Sequence, residues 1–320
     1  MEGKLSQEAI ADLCFDPAAA CREIEDFVRG EVRRLGKRGV VIGLSGGLDS
    51  TVCAYLCVHA LGRRRVLALT LPERDSHPDN IRDAAEVAHT LGLRVERVDL
   101  GPLLARLGVY NVVSARTAAN RAVIETGIRW LRRLTRWPSA FGSGISLLYG
   151  ERPDFWGRLA RWLLWPYFGR LHAFVLDKVR LRMLVLYHYA ALHDYLVVGT
   201  TDRSEWSIGF YDKYGDGAND LALLRHLYKT QVRELARYLG VPGRIVDKPS
   251  SGDLAAGLPN EAVIGLRYEQ LDSILCGLEQ GLPDKTIAAE AGVKLTAIAA
   301  VREAMRVARQ REALPSHLAP

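Results

Sequence analysis

A short polar loop between two apolar segments contains the residues of this chain best suited to chemistry. Residues 40–44 are largely apolar, and the chain then reads Ser45-Gly46-Gly47-Leu48-Asp49-Ser50 before a second apolar run. Adjacent glycines let backbone N–H groups approach an anion, and a helix that follows directs its positive N-terminal end toward the same point. The pattern predicts a phosphate-binding loop.

The residue types of this loop indicate which phosphate chemistry it supports. The segment contains neither Gly-x-x-x-x-Gly-Lys-Ser/Thr nor Gly-x-Gly-x-x-Gly. Ser45 and Ser50 offer hydroxyl donors, whereas the carboxylate of Asp49 would repel phosphate unless Mg²⁺ lay between them. The loop therefore favours binding and release of pyrophosphate, and it resembles the signature of the ATP-pyrophosphatase (PP-loop) superfamily, whose members adenylate a substrate with ATP.

Strand-like and helix-like segments alternate around this loop. Strands are predicted over residues 39–44, 66–72, 94–100 and 195–200, and helices over residues 51–61, 78–91 and 179–193. Such alternation predicts an α/β fold with a parallel sheet and helices on both faces, in which ligands bind at the carboxyl ends of the strands.

A second polar cluster follows the fourth predicted strand. It comprises residues 199–205 (Gly-Thr-Thr-Asp-Arg-Ser-Glu), residues 213–220 and residues 227–231 (Leu-Tyr-Lys-Thr-Gln). Glu205 can join Asp49 in holding Mg²⁺ through oxygen, because Mg²⁺ prefers one or two carboxylates together with phosphate oxygens. Lys229, at a predicted helix start, can supply positive charge to leaving pyrophosphate.

Several ordered motifs resemble those of the NAD synthetases. They are Ser-Gly-Gly-x-Asp-Ser, Pro-Glu-Arg-Asp-Ser, Arg180-Leu181-Arg182-Met183, Gly-Thr-x-x-x-Ser-Glu, Lys-Tyr-Gly-Asp-Gly, Leu-Tyr-Lys-Thr-Gln-Val and Lys-Pro-Ser-Ser-Gly-Asp-Leu. The resemblance covers about residues 20–110 and 175–280. It implies a Rossmann-like fold of the adenine nucleotide alpha-hydrolase type, and an ATP-dependent ligase that makes NAD from deamido-NAD and ammonia.

The resemblance also implies roles for individual residues. ATP and pyrophosphate would be bound by Gly43, Ser45, Gly46, Gly47, Asp49, Ser50, Arg182, Thr200, Lys229 and Ser251, of which Asp49, Lys229 and Thr200 would be catalytic. Asp49 and Glu205 would bind Mg²⁺. Arg180, Asp216 and the position of Leu176 would face the acid substrate.

Short departures from the family pattern lie on both sides of the fourth predicted strand. Leu176 stands where the family usually has an asparagine, and an acidic family segment reads Asn260-Glu261-Ala262-Val263-Ile264-Gly265. We interpret both as changes on the second-substrate side, with the ATP side intact. Ordinary drift and a changed acid substrate both explain them. The alternatives are therefore an enzyme that amidates another carboxylic acid, and an ATP-binding scaffold without turnover.

An Arg/Trp-rich insertion over residues 116–174 is the other departure. It contains ten arginines, no lysine, three acids and five of the six tryptophans, so its charge of +7 exceeds the +6 of the whole chain. Two amphipathic helices are predicted near residues 129–137 and 156–165, stopped by Pro138 and Pro166. A cap over the acid pocket or an oligomer contact is favoured over a membrane or nucleic-acid surface.

Composition and length set the remaining expectations. The chain has 320 residues, 48% of them hydrophobic, and its five cysteines show no metal-ligand spacing. We expect an NAD synthetase-like domain over residues 1–275, interrupted by 116–174, and C-terminal helices over 276–320 that pack on it. A cytoplasmic location is expected because no apolar signal or spanning run is evident. Ammonia would arrive free or from a separate glutaminase, and the resemblance implies a homodimer.

Overall fold

Five parallel strands form one sheet at the centre of the molecule. The computed structural model describes residues 15–114, 122, 126, 155–252 and 259–312, with only the backbone over 155–168. The strands are β1 (Gly39–Gly43), β2 (Val66–Thr70), β3 (Arg94–Arg97), β4 (Tyr195–Gly199) and β5 (Leu221–Ala222). Their order across the sheet is β3-β2-β1-β4-β5.

Twelve α-helices surround this sheet within the described residues. They are α1 (Pro17–Arg34), α2 (Leu48–Leu61), α3 (Pro78–Leu91), α4 (Gly101–Arg106), α5 (Phe155–His193), α6 (Arg203–Ser207), α7 (Lys229–Tyr238), α8 (Gly243–Val246), α9 (Asn260–Ile264), α10 (Tyr268–Glu279), α11 (Asp284–Ala291) and α12 (Leu295–Glu312). Short 3₁₀ turns cover Arg63–Arg65 and Val109–Asn111.

The alternation of side chains along the strands explains why helices cover both faces. Val40 and Ile42 of β1 belong to the core that α1, α2 and α7 share with one face. Val41, between them, joins Met183 and Leu186 of α5 on the other face. Because successive strand residues point to opposite faces, a strand apolar at every position must be covered twice. The predicted α/β fold is therefore confirmed.

The strand order places a crevice at the carboxyl ends of β1 and β4. From β1 the chain moves to β2 and β3 on one side, and after α5 it returns to β4 and β5 on the other. Ligands of open parallel sheets bind where the direction of winding reverses. The loop over residues 44–50 and the segment over residues 200–205 both begin at this crevice.

The last three helices form a second apolar core. Leu271 and Ile274 of α10, Ile287 of α11 and Ile298 of α12 are buried in one cluster. Tyr228, the residue before α7, joins the same cluster. The C-terminal helices therefore contact the segment that precedes Lys229.

Several sequence-based boundaries are wrong by a few residues. Helix α2 begins at Leu48 rather than at residue 51, so Asp49 and Ser50 lie in its first turn. Strand β3 ends at Arg97 rather than at residue 100, and Leu100 instead precedes helix α4. Gly47, the second glycine of the loop, is the N-cap of this helix. The helix therefore begins before the apolar run from which its start was predicted.

The predicted helix stop at Pro166 is also wrong. Helix α5 runs without a break from Phe155 through Pro166 to His193, so the predicted 156–165 helix and the arginine helix are one element. Proline removes one backbone donor from a helix interior. The helix nevertheless continues for 27 residues beyond Pro166, out of 39 in all. The predicted helix at 129–137 lies outside the described residues.

Among the described residues, no helix is both long and apolar enough to cross a membrane.

Candidate active site

The loop between β1 and α2 requires glycine for a steric reason. Gly46 has a φ of +77°, and a Cβ on it would lie 2.1 Å from the carbonyl oxygen of Asn80 in α3. No side chain fits in that space. Gly47 then caps α2 in an extended conformation. Helix α3 therefore packs closely against the loop at Gly46.

Two serine hydroxyls hold this loop in one shape. Ser45 Oγ lies 2.9 Å from Ser50 Oγ, and the N–H of Ser45 donates to Ser50 Oγ at 3.2 Å. The N–H of Gly47 donates to Ser45 Oγ at 3.2 Å. These bonds close the loop over the first turn of α2, where the positive end of the helix favours an anion.

Lys229 brings three carboxylates together beside the loop. Its Nζ, 180 residues from Asp49 in sequence, donates to both carboxylate oxygens of that residue at 2.9 and 2.8 Å. Asp202 Oδ2 lies 2.7 Å from Nζ and pairs with it by charge, and Glu205 Oε1 lies 3.2 Å away. Four side chains from β1–α2, β4–α6 and α7 therefore meet at one ammonium group.

Burial and the neighbouring charges together shift the pKa values of this cluster. Burial alone would lower the pKa of Lys229, but Asp202, Asp49 and Glu205 outweigh it and hold that pKa well above its ordinary value. The carboxylates therefore favour the protonated form of this lysine. Asp202 is the most enclosed of the three carboxyl groups, and burial raises its pKa well above the ordinary value. Asp49 and Glu205 are the groups of this cluster whose oxygens could hold a metal ion.

Glu205 is oriented by donors from the C-terminal helices. Tyr268 OH donates to Glu205 Oε1 at 2.8 Å, and Asn260 Nδ2 donates to the same oxygen at 3.2 Å. With Lys229, three donors thus converge on Oε1, and no donor among the described residues reaches Oε2. The amide of Asn260 thus contacts the carboxylate grouped with Asp49, and its assignment to the second-substrate side stays a prediction.

The start of helix α7 is fixed by a buried acid. Asp272 of α10 accepts hydrogen bonds from Ser204 Oγ at 2.5 Å and from the N–H of Thr230 at 2.9 Å. Ser204 Oγ accepts in turn from the N–H of Lys229 at 2.9 Å. Burial raises the pKa of Asp272. The backbone of Lys229 is therefore held by the C-terminal helices.

Arg180 forms a second polar centre with the segment before β5. Its guanidinium donates to both oxygens of Asp212 at 2.9 and 3.1 Å. The N–H of Asp212 donates to Asp216 Oδ1 at 2.7 Å. Removal from water raises the pKa of Asp216 to about 7, and the nearby charge of Glu205 contributes in the same direction. Leu176 lies one turn before Arg180 on α5 and is half-buried.

The remaining candidate residues lie on the same elements without sharing one contact set. Gly43 ends β1, Thr200 follows β4, and Arg182 is half-buried on α5, two residues after Arg180. Ser251 is half-buried just before residues 253–258, which lie outside the described residues. The structure thus brings Asp49 and Glu205 into direct contact with Lys229. Asp202, which the sequence analysis did not single out, contacts Lys229 as well.

A buried ionic network beneath α5 escaped sequence reasoning. Lys178, whose side chain is fully buried, donates to Glu73 Oε1 at 3.0 Å and to Asp75 Oδ2 at 2.6 Å. Tyr110 OH donates to Glu73 at 2.9 Å, and Arg74 pairs with Asp75. The network ties the loop after β2 to α5, two residues before Arg180.

These observations define the chain as a nucleotide-binding α/β protein of the PP-loop type, with a glycine loop and an acidic cluster at the topological switch point. A sequence model of the NAD synthase family matches residues 20–130 and 176–315, and the chain belongs to that family. The family's enzymes are ligases that amidate deamido-NAD to NAD in an ATP-dependent reaction. The residues between these two matched stretches, 131–175, fall almost entirely within the Arg/Trp-rich insertion.

Individual relatives agree with this assignment. The chain is 37% identical over 255 residues to the NH(3)-dependent NAD(+) synthetase of Thermotoga neapolitana, covering 79% of this chain and 82% of that protein. It is 35% identical over 314 residues to the NH(3)-dependent NAD(+) synthetase of Hyperthermus butylicus, covering 98% and 94%. The second alignment spans the insertion.

Solved structures share the fold. NMN synthetase from Francisella tularensis superimposes with a TM-score of 0.66 and 25% identity, covering 96% of this chain and 99% of that one. The NH3-dependent NAD synthetase from Campylobacter jejuni gives a TM-score of 0.65 at 23% identity, covering 95% and 100%.

Proposed function

We propose that this chain is an ammonia-dependent NAD synthetase. The nicotinate carboxylate of deamido-NAD attacks the α-phosphorus of ATP, and the bond to the β-phosphate oxygen breaks to release pyrophosphate. Ammonia then attacks the acyl carbon, AMP leaves, and the nitrogen loses a proton to give the amide. The contact of Lys229 with Asp49 and Glu205, directly beside the glycine loop, carries this proposal.

The chain's own groups act by position and charge. The N–H groups of the loop and the hydroxyls of Ser45 and Ser50 bind phosphate oxygens at the N-terminus of α2. Lys229 remains protonated because its carboxylate neighbours outweigh the effect of burial. We assign to it the positive charge that meets departing pyrophosphate, as the family resemblance implies. Arg182 and Ser251 contribute further ATP contacts, and Thr200 lies at the reacting end of the crevice. No side-chain nucleophile is required.

The acidic cluster suits Mg²⁺. Asp49 and Glu205 offer hard oxygen donors, and the donors on Glu205 Oε1 leave its Oε2 for a cation. The cluster contains three carboxyl groups for one ammonium group, which supports a further cation beside Asp49 and Glu205. When bound, Mg²⁺ would neutralise phosphate charge and polarise the phosphorus that the acid attacks.

The acid substrate occupies the side of Arg180 and Asp216. Arg180 is held by Asp212 in a bidentate pair, which fixes the orientation of its guanidinium. Leu176, one turn earlier, cannot donate a hydrogen bond to the substrate. This leucine favours a second candidate function, the amidation of another nicotinate-bearing acid, and the NMN synthetase among the structural relatives makes the mononucleotide acid the natural comparison.

A homodimer is the assembly we propose. Helix α5 exposes Leu184, Tyr187 and Leu192, with exposed fractions of 66%, 37% and 63%, on one face at helical spacing. A second copy of the chain would cover this face and would lie close to Arg180 on the same helix. Leu184→Glu is expected to convert a dimer to a monomer in sedimentation velocity, and an unchanged sedimentation coefficient would contradict this assembly.

The remaining proposals concern the chain's setting. We propose a cytoplasmic enzyme, supported by the four described cysteines, which are unpaired thiols. Ammonia would come from solution or from a separate glutaminase. Residues 1–275 and 276–320 would act as one synthetase unit, and the insertion over 116–174 would cap the acid pocket or contact the second copy.

Exchange of labelled pyrophosphate into ATP tests the proposed function. The exchange is expected only with ATP, Mg²⁺ and deamido-NAD, and ammonia then converts the acid to NAD with one AMP for each NAD. Stimulation by nicotinate mononucleotide alone would select the second candidate, and formation of ADP or no exchange with any acid would exclude both. Asp49→Asn is expected to abolish exchange, whereas Asp26→Asn, on exposed α1 surface, keeps it.

A further inference from the structure

A cluster of three different donor atoms lies where α1 crosses α2. Cys21 and Glu25 are one turn apart on α1, and His59 is in the last turn of α2. Cys21 Sγ lies 3.1 Å from Glu25 Oε1, and His59 Nδ1 lies 3.4 Å from the same oxygen. All three donor atoms fall within 4.8 Å of one another.

The two separations that involve Glu25 Oε1 are close to those of donors around one small metal ion. With Zn–S of about 2.3 Å and Zn–N and Zn–O of about 2.0–2.2 Å, neighbouring ligands of a tetrahedral ion lie roughly 3.3–3.7 Å apart. The observed 3.1 and 3.4 Å are close to these edges. An ordinary ion pair and a thiol hydrogen bond explain each contact separately, but neither requires that all three donors converge.

We propose that Cys21, Glu25 and His59 bind a divalent transition-metal ion of the Zn²⁺ class. Thiolate and imidazole donors favour Zn²⁺ over the hard ions Mg²⁺ and Ca²⁺. The three residues provide three ligands, and the side chain of His59 is 45% exposed, so water can reach a fourth position. The site is distinct from the Asp49 and Glu205 pair, whose donors are all oxygen.

The binding step releases one proton. Without a metal, the thiol of Cys21 carries its proton and donates it to Glu25 Oε1 at 3.1 Å. Binding breaks the S–H bond, forms a sulfur–metal bond and sends the proton to solvent. Glu25 also pairs with Arg29 through its other oxygen, which leaves Oε1 directed toward the sulfur and the imidazole.

The place of the cluster gives the ion a structural consequence. Helix α1 packs on α2, and α2 begins at the phosphate-binding loop. An ion held by one ligand from α2 and two from α1 would cross-link these helices at the end remote from the loop. Binding is therefore expected to raise the melting temperature without supplying a group to the reaction.

Cobalt(II) is the probe for this site. Metal-free full-length protein is titrated with Co²⁺ in excess Mg²⁺, which occupies oxygen-only sites. We expect one equivalent to produce a thiolate-to-cobalt charge-transfer band, to be displaced by Zn²⁺, and to release one proton. Cys21→Ser should lose the band, and the control Cys14→Ser, at a cysteine outside the described residues, should keep it.

A second variant separates metal binding from folding. His59→Gln alters a partly exposed side chain, so the protein should stay folded while its affinity for Co²⁺ falls at least tenfold and its cobalt spectrum changes. A native protein without the band, a band that survives in Cys21→Ser, or an unchanged affinity in His59→Gln would each overturn the proposal. Unchanged pyrophosphate exchange in His59→Gln keeps this outcome independent of the proposed function.

Discussion

Lys229 Nζ lies 2.7 Å from Asp202 Oδ2, and both side chains are fully buried. Removal of one member of a buried ion pair leaves an uncompensated charge and costs about 3–5 kcal/mol. Here the loss of the lysine would leave Asp49, Asp202 and Glu205 facing one another. The pair thus contributes to folding as well as to the proposed chemistry.

Lys229→Met should lower both activity and stability. We expect pyrophosphate exchange to fall at least about 10²-fold, the scale of losing one preorganised charge donor. The free energy of unfolding should fall by about 3–5 kcal/mol, and Asp202→Asn added to Lys229→Met should restore part of it. Urea unfolding and exchange rates measure both, with Lys37→Met on the surface as the control. An equally unstable double variant would contradict the charge argument.

Loss of the donors on Glu205 should weaken Mg²⁺ dependence specifically. In Tyr268→Phe, Glu205 Oε1 loses a 2.8 Å hydrogen bond, and in Asn260→Ala it loses one of 3.2 Å. Groups that orient metal ligands are worth about 10–100-fold in metal affinity. We therefore expect the Mg²⁺ concentration for half-maximal exchange to rise by that factor. Tyr238→Phe, at an exposed tyrosine, provides the control, and a shift confined to the KM for ATP would contradict this role.

Asp216 should make stability depend on pH. Its folded pKa of about 7 exceeds its ordinary value of 3.8, so between these values the folded chain keeps a proton that the unfolded chain has lost. Stability contributed by this group therefore falls as pH rises from about 4 to 7. Asp216→Asn should remove this pH dependence. Its gain in free energy of unfolding over the native protein should be about 2–4 kcal/mol larger at about pH 8 than at about pH 4. Urea unfolding at several pH values without Mg²⁺ measures this, and Asp247→Asn on the surface is the control. Parallel pH profiles of Asp216→Asn and the native protein would contradict the assignment.

Lys178→Met should disturb the acid-substrate side through the position of α5. Glu73 and Asp75 would lose their buried cation, at a cost of about 3–5 kcal/mol. Because Arg180 lies two residues further along α5, we expect the KM for deamido-NAD to rise more than the KM for ATP. Steady-state kinetics measure both constants, and Lys294→Met, at an exposed lysine, is the control. Equal changes in the two constants would indicate general destabilisation instead.

The site residues that lie at the carboxyl ends of the strands could be predicted from the sequence. An apolar run followed by two glycines can only be a buried strand and a tight turn, and the ends of parallel strands share one edge. That reasoning, with the family resemblance, related Asp49 to Glu205 and Lys229 across 180 residues. Asp202 escaped it because a polar residue after a strand gives no sign of whether its side chain turns inward.

The contribution of the C-terminal helices could not be predicted in the same way. Their apolar spacing identifies the buried face that contains Leu271 and Ile274, but it carries no information about the polar atoms of that face. Tyr268 and Asp272 lie on the same helix and reach Glu205 and Thr230 through tertiary packing. The contact of Asn260 with Glu205 could not be predicted for the same reason, since the two residues are 55 positions apart in sequence.

The unbroken course of α5 gives the chain a mechanical property. At 1.5 Å per residue, the 25 helical steps from Phe155 to Arg180 span roughly 37 Å of one rod. The rod starts inside the segment that the family model leaves unmatched and ends beneath the sheet. A displacement of the first turns of this helix would therefore be carried to Arg180 without an intervening loop.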